Sequence, residues 1–186
     1  MNFGVFDLYG DPALQDALDV CLKMALSIPI SDILSYRKVG RAYFALMDVL
    51  CHNHAPALAA KDGATFAFIV TSLDSGLKAL DVGISSQCAA ALDNLAGYYF
   101  RHMPGGEEPN AAGAAIAEHL RAQPDLFPRA LHTLFEIVLF EDCSNQWSLS
   151  RPMLSLILVS EPVYGADLKY LIKKENNPTC DAPTNT

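Results

Sequence analysis

Residues 140–158 read FEDCSNQWSLSRPMLSLIL, and the fold of the chain turns on how this stretch is read. It holds the one tryptophan, Trp147, and it sets Cys143 beside two acids, among serines and ahead of Pro152. A reaction centre with Cys143 or a serine as nucleophile is one reading. A joint between two helices is the other. Cys143 follows Glu141 and Asp142, and neighbouring carboxylates disfavour a thiolate, which is the wrong direction for a nucleophile. Residues 143–147 carry no helical stripe and read as a turn. Ser148 or Ser150 can cap the next helix, and Pro152 is tolerated in a first turn, where a missing N–H costs nothing. On this reading Phe140 closes one helix against the core and Trp147 plugs the turn. Ser150 and Pro152 start the next helix, and Arg151 makes an inter-helix ion pair with Glu141 or Asp142. Trp147→Ala is then expected to cost ~3–5 kcal/mol, the usual loss for a well-packed aromatic.

Helical spacing dominates on the N-terminal side of the joint. Asp11-Pro12 reads as an N-cap followed by proline at the first helical position. Leu14, Leu18, Cys21, Leu22 and Ala25 share one stripe, which ends before Pro29. Ser31-Asp32 begins a short turn. From Lys38, the positions Val39, Ala42, Tyr43, Leu46, Val49 and Leu50 predict a second amphipathic helix ending near Asn53-His54. Pro56 and Gly63 bracket a connecting piece. Phe66, Ile69, Val70, Leu73 and Leu77 continue at helical spacing, which outweighs the β-branched run at 66–71. Val82 to His102 is a long helix with Cys88, Ala91, Leu92, Leu95 and Tyr99 inward. Pro104-Gly105-Gly106-Glu107-Glu108-Pro109 is a loop. An alanine-rich helix follows from about Ala111 to Arg121. Pro124 opens another, with Leu131, Leu134, Ile137, Val138 and Phe140 inward.

Beyond the joint, Met153, Leu154, Leu156, Ile157 and Leu158 fill a helix. Pro162 and Gly165 interrupt, Leu168, Leu171 and Ile172 resume, and the composition from Glu175 is that of a disordered polar tail. The expected fold class is all-α, with roughly four antiparallel helix pairs of ~40 residues, the period of HEAT or armadillo arrays. The expected domains are a repeat segment over 1–174 and a tail over 175–186.

Composition narrows the function. Of 186 residues, 51% are apolar and 18% charged, with a formal net charge of −8. That balance provides a continuous core and argues against nucleic acid as the main partner, because phosphate binding needs a basic face. Bases cluster only at Arg37, Lys38 and Arg41 and at Lys173 and Lys174. Cys21, Cys51, Cys88, Cys143 and Cys180 form no CxxC pair, so a reducing compartment fits best. Membrane insertion is not expected, since no apolar run approaches the ~18 residues needed to span a bilayer.

Phosphate loops and a G-x-S-x-G elbow are absent. Cys51-His52-Asn53-His54 is the best metal candidate, yet a zinc site needs three or four ligands and no second cluster offers the rest. It reads instead as a polar helix end, with His52 and His54 meeting the last carbonyls. His119 and His132 could serve as a base to Cys143, but nothing in the spacing brings them there. No catalytic, cofactor-binding or metal-binding residue and no cofactor is expected.

Four segments carry a resemblance: N-F-G-V-F-D-L-Y-G-D-P-A-L-Q-D-A-L at 2–18, S-I-P-I-S-D-I-L-S-Y at 27–36, L-D-S-G-L-K-A-L-D at 73–81, and the joint extended to residue 161. In this order they resemble the C-terminal region of exportin-7-like nuclear transport receptors, in the importin-β superfamily. The resemblance implies a piece of a HEAT-repeat solenoid that binds protein cargo and passes nuclear pore proteins while shuttling between nucleus and cytoplasm. It further implies control by the GTPase Ran through N-terminal repeats missing from this chain, and no enzyme activity. A stand-alone α-helical scaffold without transport activity is the alternative. The family's basic loop is here the short acidic stretch 104–109, and its final helical segment is replaced by the tail from Glu175. Phe3, Val5, Phe6 and Leu8 are expected to form an apolar patch made to dock on an earlier helix.

Overall fold

The computed structural model describes residues 13–140 and 148–160, and every regular element in them is helical. The helices are α1 (Ala13–Leu26), α2 (Ile30–Ser35), α3 (Arg37–Asn53), α4 (Ala55–Ala59), α5 (Gly63–Leu77), α6 (Val82–His102), α7 (Ala111–Ala122) and α8 (Leu126–Phe140). A ninth, α9, covers 148–160. The β-branched run at 66–71 lies inside α5, where Phe66, Ile69, Val70 and Leu73 are all buried. Packing at a period of 3.6 prevails there over local strand preference.

Short polar residues start three of these helices. Asp62 accepts from the Thr65 backbone N–H at 3.0 Å and from Thr65 Oγ1 at 2.7 Å. Asp81 accepts from the Gly83 backbone N–H at 3.0 Å, and Asn110 accepts from that of Gly113 at 2.8 Å. Each satisfies a donor that the first helical turn leaves without an intrahelical partner. Asp62 and Asp81 are held below the usual carboxylate range, the first mainly by the Thr65 side chain and the second mainly by Arg37.

The helices stack in parallel register. Arg37 and Arg41, at the start of α3, both bond Asp81 at the head of α6, and His52 near the end of α3 faces Asn94 in α6 at 3.3 Å. These partners are 44, 40 and 42 residues apart in sequence. Further along, the separation grows. Arg129 to Thr71 and Thr133 to Asp74 align α8 with α5 at 58 and 59 residues. His119 to the Ala59 carbonyl joins α7 to α4 at 60, and Ser155 to Asp93 joins α9 to α6 at 62. The repeating unit is therefore a triplet: α3–α4–α5, then α6–α7–α8, with α9 occupying the place of α6 one unit later. This refines the expected pairs. The residues taken as a connecting piece at 56–63 include α4, whose Ala55, Leu58 and Ala59 are buried. The second unit is longer because α6 has 21 residues against 17 in α3 and α7 has 12 against 5 in α4. An all-helical stack of this kind is consistent with an importin-β-like helical-repeat solenoid.

The loop joining α6 to α7 is built into the backbone. The Glu108 N–H donates to the Arg101 carbonyl at 2.9 Å, and His102 Nδ1 lies 2.7 Å from the Glu108 carbonyl oxygen. Gly105 takes φ of +90°, a conformation open to glycine and strained for other residues. A Cβ on Gly113 would stand 1.8 Å from the His102 carbonyl oxygen, so α7 can start where it does only with glycine there.

Several inward positions differ from the sequence reading. In α3 the buried stripe is Gly40, Tyr43, Phe44, Met47, Leu50 and Cys51, while Val39 and Val49 are exposed. The stripe is turned by about one residue because both α6 and α5 pack on it. Cys21 is exposed, and Leu22 takes the core position beside it. Phe140 is 83% exposed rather than packed on the core, since α8 outruns the described neighbours beneath its last turn. The N-terminal apolar run with Phe3, Val5, Phe6 and Leu8, the Asp11-Pro12 cap, and everything from residue 161 on, including the boundary at 175, lie outside the described residues.

Candidate interaction groove

Of the residues read as a joint, Trp147 lies outside the described residues, as do Glu141, Asp142 and Cys143. Ser150 sits inside α9 with an exposed side chain, and Pro152 is buried. Arg151 does form an inter-helix ion pair, but its partner is Asp93 of α6, with Nε 2.9 Å from Oδ2. Ser155 donates to the other oxygen of Asp93. Thus Arg151 and Ser155 fasten α9 to α6, a long-range pairing that the neighbouring acids at 141 and 142 hide from sequence spacing.

The histidines do not converge. His119 stacks on Phe66 at 4.8 Å, and His132 lies 3.6 Å from Glu136 on its own helix. Among the described residues no group of three His, Cys, Asp or Glu could hold a metal ion. Cys51 is buried in the α3–α6 seam, and burial pushes its thiol up to about 12; burial likewise raises the Cys88 thiol. Both are packing residues at neutral pH.

What the fold does build is a groove of about 580 Å³ where the α2–α3 corner meets the turn between α5 and α6. Its apolar lining comes from Leu34, Ala79, Leu80 and Ile84, and its polar lining from Arg37, Ser75, Lys78 and Asp81. Leu80 is fully exposed, and Tyr36 and Val82 beside the groove are 67% and 57% exposed. Arg37 and Arg41 converge on one Asp81 oxygen, at 2.8 and 3.0 Å. Arginines in the first turn of a helix oppose its macrodipole. Here α6's own cap offsets part of their charge across the seam, so a locally unfavourable choice in α3 is eased by the next unit.

Only one sign of this groove is visible in the sequence, the clustering of Arg37, Lys38 and Arg41 in an acidic chain. Lys78, Leu80 and Asp81 were hidden, because L-K-A-L-D looks like an ordinary helix end until its fully exposed leucine is seen in three dimensions. Among the described residues no helix is long and apolar enough to cross a membrane.

No protein-family model matches the chain, and no solved structure matches it. Curated proteins do. Exportin-7-B of Xenopus laevis is 37% identical over 183 residues, which are 96% of this chain and 17% of that protein. Ran-binding protein 17 of Mus musculus is 35% identical over 185 residues, with the same coverage. Ran-binding protein 16 of Drosophila melanogaster is 36% identical over 173 residues, 88% of this chain and 16% of the relative. The chain thus spans about a sixth of the length of these relatives.

Proposed function

Because this chain is homologous across nearly its whole length to one segment of the exportin-7 and Ran-binding protein 16/17 transport receptors, we propose that it acts as the C-terminal, protein-binding part of such a receptor. In this role it has no catalytic residue. It contributes surface and curvature to a solenoid that carries protein cargo, meets nuclear pore proteins and shuttles between nucleus and cytoplasm under Ran. Ran itself is engaged by N-terminal repeats outside this chain. Residues 1–174 form the repeat segment, and 175–186 a polar tail.

The supporting observation is 37% identity maintained over 96% of the chain. The parallel register of α3 with α6 and of α5 with α8 fits it, since small rotations between successive units accumulate into the curvature on which solenoid binding surfaces depend. A chimera in which this chain replaces the matching segment of Xenopus exportin-7-B tests the reading. The chimera is expected to bind GTP-loaded Ran and to cross the nuclear envelope of permeabilised cells as its parent does. A folded chimera, matched to the parent in helicity and melting, that binds Ran yet fails to cross would remove it.

A further inference from the structure

We propose that the groove between the α2–α3 corner and the α5–α6 turn receives an acidic peptide segment carrying a large aliphatic side chain. This rests on reading the chain as part of a protein-binding receptor. The charge balance is the first argument. The whole chain carries −8, yet the rim of this groove gathers Arg37, Arg41 and Lys78, with Lys38 on the same turn of α3, against the single carboxylate of Asp81. The nearest further acids in sequence are Asp74, buried and held by Thr133 and Arg129, and Asp32, which lies in the first turn of α2 and takes a bond from Ser31 Oγ at 3.4 Å. A guanidinium has five N–H donors, so two arginines on one carboxylate retain donors for another.

The apolar lining is the second argument. Leu80 projects wholly into solvent, Leu34 is 37% exposed, and Ala79 between Lys78 and Leu80 keeps the floor open. An isolated exposed leucine would need no explanation. One at the mouth of a groove, ringed by cations in an acidic protein, matches a leucine flanked by carboxylates. The aliphatic side chain would lie on Leu34, Leu80 and Ile84, and the flanking acids would meet Lys78 on one side and Arg37 and Arg41 on the other.

The test is fluorescence anisotropy on the full chain, with a labelled peptide holding a leucine core between glutamates. The expected result is saturable binding that weakens as salt is added. Lys78→Glu and Leu80→Ser should each weaken it roughly tenfold, with helicity and melting unchanged because both side chains are exposed. A peptide with lysines for the glutamates, or alanine for the leucine, should not bind. Absence of binding by the glutamate–leucine peptide, or equal binding by both variants, overturns the proposal. So does self-association of the chain that Leu80→Ser abolishes, which would make a second copy the occupant. Failure of the peptide alongside a chimera that still transports would discard the groove and leave the receptor reading standing.

Discussion

The two seams between successive units are sealed in different ways. The seam of α3 with α6 is apolar through its middle: Phe44, Met47 and Leu50 face Cys88, Leu92 and Leu95, all at most 2% exposed. Gly76 of α5 completes it, since a Cβ there would stand 2.4 Å from Cys88 Sγ and 2.6 Å from Phe44 Cε1. Polar and charged groups in this seam lie towards its two ends, Asp81 with Arg37 and Arg41 at one and Asp48, half-buried, with His52 beside Asn94 at the other. The seam of α5 with α8 instead carries a carboxylate inside it. Asp74 is 6% exposed, accepts from Thr133 Oγ1 at 2.7 Å and lies 3.6 Å from Arg129 Nε. The first seam draws its strength from apolar area and shape. The second relies on hydrogen bonds that a buried charge cannot lose without penalty.

The largest break is expected from Phe44→Ala. Its ring is fully buried and meets Tyr43 edge-on at 5.1 Å, so the cavity should cost about 3–5 kcal/mol in denaturant melting. Cys51 and Cys88 line the same seam, and their alkylation measures its opening. In the unaltered protein iodoacetamide at neutral pH should label the exposed Cys21 and spare both buried thiols; in Phe44→Ala they should react measurably faster. Rapid labelling of Cys51 in the unaltered protein would show that the seam is not closed.

Thr133→Val sharpens the contrast at intermediate size. It keeps the volume and removes the donor to Asp74, so the expected loss is about 1–3 kcal/mol. A replacement without measurable cost would mean that Asp74 finds another donor, and the two seams would then not differ in kind.

Arg37→Gln should have the smallest effect, at most a few degrees of melting temperature, because exposed ion pairs contribute little. Its signature is in the pH profile. Asp81 has a lowered folded pKa, so its contribution is fully present above the ordinary carboxylate value of about 4 and disappears as pH falls through the lowered one. Since Arg37 is the largest cause of that shift, the variant should lose less stability than the unaltered protein on acidification. Parallel profiles would assign the shift to the Gly83 cap instead. Asp48 works in the opposite sense: burial raises it, so its cost sets in as pH rises past the ordinary carboxylate value and is complete above the raised one.

Much of the helical content was legible from periodicity alone. Val82–His102 agrees residue for residue with the expected helix, and the five inward positions expected in α5 are all buried, joined by Ala67, Ser72, Asp74 and Gly76 because neighbours cover more than one face of this helix. What periodicity missed was α2, read as a turn, and α4, read as a connecting piece, since helices of six and five residues are too short to show a stripe. It also misplaced the stripe of α3, where tyrosine, valine and small residues offer two adjacent faces and the choice between them belongs to α6. Arg151 was rightly read as pairing between helices, but with nearby acids in sequence rather than with Asp93.

By itself, then, the sequence determined that the chain is all-helical, where most helices begin and end, and that it resembles a segment of a transport receptor. The helical content and the helix ends follow from local terms, namely caps, glycines, prolines and the 3.6-residue spacing of apolar side chains, which act within a turn or two; the resemblance rests on the four quoted segments. Only the tertiary structure decided the three-helix repeat, the partners of Arg37, Arg129 and Arg151, and the cationic groove around Leu80. Those depend on side chains some 40 to 60 positions apart meeting across a seam, and no local preference records which helix will lie alongside which.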